Sequence, residues 1–172
     1  ITTGANNTAI GGLAMTANTT GGENTAVGAG ALDDNTTGGN NVAVGLSALS
    51  ANTTASRNTA VGSNAGAANT TGHVTAVGYA VLQSNTTGNS NVAVGGNDES
   101  AAAALQNNTT GSNNTAMGVA ALKDNTTGAD NTAVGRKAGE ALTTANQNCF
   151  IGSGAGKLVT TGANNTVIGG YT

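Results

Sequence analysis

The chain has no proline and no tryptophan, and only one cysteine, one histidine, one phenylalanine and two tyrosines. A single cysteine excludes a disulfide-stapled scaffold. Five Lys and Arg are too few to neutralise a nucleic-acid backbone, so nucleic acid is excluded as a partner. No apolar run is long enough to cross a membrane, so no direct membrane insertion is expected. No signal-peptide pattern is visible, and the start at Ile1 reads as an excised piece of something longer. Bulky side chains are too scarce for a large globular core. Instead Ala (32), Thr (29), Gly (28) and Asn (25) make up two thirds of the 172 residues, with eight acidic and five basic residues and a formal charge of −3.

Such a composition fits disorder, but the order of the residues argues against it. The phrase Asn-Thr-Ala-Val-Gly recurs along the whole chain, closing at Gly11, Gly28, Gly45, Gly62, Gly78, Gly95, Gly118, Gly135, Gly152 and Gly169. The spacing is 17 residues except for one interval of 16 and one of 23. A stack of coils must keep such a register; a flexible linker has no reason to. The expected fold is all-β: a parallel β-solenoid of about ten 17-residue coils, forming one repetitive segment over residues 1–172.

Each phrase reads as a short strand of period two. Ile10, Val27, Val44, Val61, Val77, Val94, Met117, Val134, Ile151 and Ile168 precede the glycines, and are expected to stack as the apolar core ladder inside the coil. The small residues between them and the preceding Thr or Val would then form a face open to another sheet or subunit. Past the glycine, Met15, Leu32, Leu49, Leu82 and Leu122 mark a second apolar position, broken at Gly66, where a second short strand or a bend is expected. Asn-Thr-Thr, usually followed by Gly, supplies a turn. Asn7, Asn24, Asn41, Asn58, Asn91, Asn114, Asn131, Asn148 and Asn165 precede the strands, either as a hydrogen-bonded ladder or as turn residues bonding their own backbone.

Two places depart from the pattern. The copy closing at Gly78 is one residue short, with His73 and Val74 before its strand. The copy closing at Gly118 carries a six-residue insertion near 96–104. Its Asn97, Asp98, Glu99 and Ser100 form a possible partner-contact loop. The coils at 136–169 are atypical: Phe150 replaces a small strand residue, Leu142 and Leu158 lie farther past the glycine, and a wider or differently shaped cross-section is expected there.

Little here points to chemistry. His73 and Cys149 are more than four coils apart, and no acid–base cluster surrounds either, so the chain reads as a non-enzyme with no cofactor and no metal. Cys149 reads as a small core filler, with an intersubunit disulfide as the alternative. Asp33-Asp34 and Asp98-Glu99 do not recur with the repeat as a calcium motif would. The glycine-rich run Gly152 to Lys157 lacks the glycine and the Ser/Thr of a phosphate-binding loop.

The phrases Asn24-Thr25-Ala26-Val27-Gly28 and Asn41-Val42-Ala43-Val44-Gly45 resemble the head repeats of trimeric autotransporter adhesins (YadA-like heads). The longer unit, with its Ala-Leu and Asn-Thr-Thr-Gly segments, resembles repeats of phage tail-fibre and bacterial surface proteins. The resemblance implies a left-handed β-roll, a homotrimer, an extracellular place on a bacterial cell surface or a virion fibre, and a structural or adhesive role. The chain's partner is then itself, with a surface receptor or glycan that the sequence does not name. The alternatives are an ice-binding solenoid, with Thr19-Thr20, Thr36-Thr37, Thr53-Thr54 and Thr70-Thr71 as water-ordering ladders, and a surface-layer or filament protein.

Overall fold

The computed structural model describes residues 2–96 and 102–170. Ten short strands form one parallel sheet in sequence order: β1 Thr8–Ile10, β2 Thr25–Val27, β3 Val42–Val44, β4 Thr59–Val61, β5 Val74–Val77, β6 Asn91–Val94, β7 Thr115–Met117, β8 Thr132–Val134, β9 Cys149–Ile151 and β10 Thr166–Ile168. Pairing is in register throughout, with Val27 on Val44 and Val44 on Val61. The chain is a β-solenoid whose ten strands bound nine complete turns. Among the described residues there is no helix.

The two faces of each strand are the reverse of the expected ones. Ala26, Ala43, Ala60, Ala76, Ala93, Ala116 and Ala133 point inward and are fully buried. The column running from Ile10 through Val27 to Ile168 points outward: Val61 is 37% exposed, Met117 44% and Ile151 40%. It is a stacked ladder, but not the core. The reason is space. The interior is filled by Leu side chains from the opposite corner (Met15, Leu32, Leu49, Leu82, Leu105, Leu122) and by asparagines, all buried, so the strand can contribute only a methyl group.

Among the described residues no second strand follows the glycine. Leu32, Leu49, Leu82, Leu105 and Leu122 adopt φ of 49–52°, the left-handed region that bulky residues rarely enter. Each makes a corner, and the corners stack by main-chain bonds such as Leu32 N–H to the Ala48 carbonyl at 3.1 Å. Gly66, Gly139 and Gly156 hold the same corner at φ of 58–61° without a side chain.

That explains Phe150. A side chain at Gly139 would come within 2.6 Å of Phe150 Cδ2, and one at Gly156 would enter the same ring. Phe150 fills the volume two missing leucines leave. The coils at 136–169 keep the parallel register and main-chain bonds from coil to coil. Leu158 is 84% exposed and plays no part in the core, whereas Leu142 is fully buried.

The 23-residue copy rejoins the stack at Ala103, Ala104 and Leu105, all buried. The partner-contact loop Asn97, Asp98, Glu99 and Ser100 lies outside the described residues.

Candidate functional site

Two asparagine columns run through the interior. The one read from the sequence, Asn7 to Asn165, bonds from coil to coil: Asn24 N–H donates to Asn7 Oδ1, Asn41 N–H to Asn24 Oδ1, and Asn131 N–H to Asn114 Oδ1, each at 2.9–3.0 Å. Asn24, Asn41 and Asn114 also donate from Nδ2 to the carbonyl of residue 38, 55 or 128. The column is broken once, by Val74, whose own N–H still bonds Asn58 Oδ1 at 2.6 Å.

The second column was missed. The asparagines of the Asn-Thr-Thr turns (Asn18, Asn35, Asn52, Asn69, Asn85, Asn108, Asn125) are buried, and each Nδ2 from Asn35 onward donates to the preceding Oδ1. The signal was present in the sequence. The same register position holds Leu142 and then Val159, apolar residues that suit a buried site and not an exposed turn. At Leu142 the chain of amides stops, and Asn125 Oδ1 is left buried without a partner. Asn52→Leu should therefore orphan one more acceptor, Asn35 Oδ1. Asn125→Leu only moves the existing orphan to Asn108. Urea melts should find Asn52→Leu more destabilising by about 1–3 kcal/mol.

The Thr pairs do not form a flat double rank. Thr19, Thr36, Thr86 and Thr126 turn their hydroxyls onto main-chain carbonyls of the next coil at 2.9–3.1 Å. In the inner coils the second Thr of each pair, such as Thr37, Thr54 and Thr71, is exposed and the first is half-buried; at Thr19-Thr20 both are exposed.

The regular outward surface is the sheet face. One column holds Thr8, Thr25, Val42, Thr59, Thr75, Val92, Thr115, Thr132, Cys149 and Thr166; the other is the Val column. No charged residue stands in either. Leu46 and Tyr79 flank the Val column and are 55% and 40% exposed. Cys149 is a half-buried member of this outer face, not a core filler. Charge gathers elsewhere, as where Glu140 pairs with Lys137 at 3.3 Å and Lys157 at 3.9 Å.

His73 and Cys149 sit on coils four strands apart, about 19 Å along the stack. Asp33 accepts a hydrogen bond from Thr16 across one coil. Among the described residues no group of three or more His, Cys, Asp or Glu could hold a metal ion, and no helix is long and apolar enough to cross a membrane. No family model, curated protein or solved structure matches the chain.

Proposed function

We propose that this chain is a rigid, non-enzymatic segment of a homo-oligomeric fibre, joined to its copies through the outer sheet face. One observation carries the reading: two in-register columns of Thr and Val, free of charge, face outward along all ten strands, half-buried to exposed. An uncharged, regular sheet face with one apolar column along its length favours being covered. The cheapest cover is the same face of another copy related by rotation about an axis along the rod, since identical rungs then meet at equal height. The resemblance to trimeric adhesin heads favours three copies in a left-handed roll. It also favours a place outside the cell, on a bacterial surface or a virion, where the rod spaces or presents a surface-binding region.

Val61→Lys tests the reading, because it puts a charge in mid-face without entering the core. Wild-type chain is expected to sediment at three times the 16.2 kDa protomer mass. The variant should dissociate, with the assembly constant falling by more than tenfold at low salt. A wild-type chain that stays monomeric at all concentrations contradicts the proposal.

The same face supports one competing reading. In-register Thr-x-Val ranks on a parallel sheet are a surface that orders water, so ice binding, if present, belongs here and not to the Thr pairs of the turns. Large thermal hysteresis from a monomer would establish that reading in place of the fibre.

A further inference from the structure

The 16-residue coil leaves a built recess. In the other coils the third residue before the strand's middle Ala is left-handed: Glu23, Asn40, Arg57, Ser90, Asn113 and Asp130 all have φ of 57–63°. Its N–H bonds the preceding coil, as Asn40 does to the Gly22 carbonyl and Arg57 to the Gly39 carbonyl, both at 3.0 Å. Between Gly72 and Thr75 only His73 and Val74 remain, so this residue is missing from one rung. Two main-chain groups lose their partners. Among the described residues Ser90 N–H bonds no carbonyl, and the Ser56 carbonyl, on the other side of the gap, receives no donor.

The gap is a cleft of about 220 Å³ lined by Arg57, His73, Ser90 and the strand residues Val74, Thr75 and Val92 among others. Its polar groups are the Arg57 guanidinium, the His73 ring, the hydroxyl and main-chain N–H of Ser90, and the side chains of Thr75 and Asn91. Asn89 Oδ1 holds His73 in place, accepting from its main-chain N–H at 3.0 Å and contacting ring Nδ1 at 3.1 Å. Arg57 makes no ion pair among the described residues. The nearest carboxylates in its own column, Glu23 and Asp130, are two and four coils away, about 10 and 19 Å. In a chain with five cations and one histidine, the recess brings one of each together.

We propose that this notch binds an oxyanion, a carboxylate or a sulfate or phosphate group, with Arg57 as the charged anchor. A planar guanidinium presents paired N–H donors that match two oxygens of such a group. The hydroxyl and N–H of Ser90 supply further donors around it, beside the His73 ring. The site shares Thr75 and Val92 with the outer sheet face, but its polar groups on Arg57, His73 and Ser90 stand outside both columns of that face.

The single histidine makes the test direct. His73 ring resonances of the full chain are followed by NMR at constant ionic strength during titration with glucuronate, inorganic sulfate or neutral glucose. The expected result is a saturable shift with the anions and none with glucose. Tighter binding of glucuronate assigns the site to an acidic sugar, and tighter binding of sulfate to a free tetrahedral anion. Arg57→Gln, on an exposed side chain, should weaken binding at least tenfold. Inserting Asn after Gly72, which restores the 17-residue coil, should abolish it. Absence of a saturable shift in the wild type, or equal binding by Arg57→Gln, overturns the proposal.

Discussion

Phe150→Ala is expected to destabilise the last coils by about 3–5 kcal/mol, the range for emptying a fully buried aromatic site. Nothing nearby can collapse into the space, because the two corners facing the ring are glycines, Gly139 and Gly156. In a solenoid each coil contacts only its neighbours, so the loss should be local. Hydrogen exchange should show β9 and β10 opening while β2 to β6 keep their protection. The interpretation also demands a rescue. Phe150→Ala with Gly139→Leu and Gly156→Leu rebuilds the Ala-and-Leu rung seen at Ala26 and Leu32. The triple variant should recover most of the loss, whereas Gly139→Leu alone should clash with Phe150. Additive losses in the triple variant would mean that the corner and the strand do not share one space.

Gly45→Ala is expected to be nearly as damaging, costing about 3 kcal/mol or more. Gly45 has φ of 137°, where a side chain is strained, and its new methyl would lie 2.5 Å from both the carbonyl carbon and oxygen of Gly62. Both obstacles are backbone, so neither can step aside. Gly12→Ala is the control, since nothing lies within 4 Å of the added methyl and Gly12 is exposed. Urea melts at one fixed chain concentration compare the two without confusing folding with assembly.

The closing glycines made the strands legible: each strand ends on the residue before one of them, from Ile10 to Ile168. They also located the coil stacking and both irregular copies. The inside and outside of the strand were not legible from period two, because alternation separates two faces without saying which is buried. The branched residues suited an interior with room to spare. Here the Leu corners and two amide columns occupy the room, and only Ala fits. The appearance of Phe150 in place of Ala, alongside Gly139 and Gly156 in place of Leu, was the available clue, since bulk moves from two corners to the strand between them. The left-handed leucines were hidden for a different reason. Residue preference disfavours that conformation, and coil-to-coil bonds such as Met15 N–H to the Ala31 carbonyl at 3.0 Å hold it in place. Asn18 and its equivalents looked like turn residues because Asn so often is one. Their burial follows from ladder bonding, which only a neighbouring coil supplies.

The shortened coil shows the same division. Its missing residue was countable in the sequence. The recess between Arg57, His73 and Ser90 emerges only when three successive rungs are stacked.

Cys149 gives the most direct test of the assembled sheet face. It is the only cysteine and stands in the outer Thr column on β9. A spin label there reports distances between copies without any engineered site. Packed sheets lie about 10 Å apart, so labels on facing copies should couple at about 20 Å or less, and dilution should abolish the coupling with assembly. No short distance between labels, in a sample whose mass shows the chains to be associated, would place the contact on another face and contradict the account.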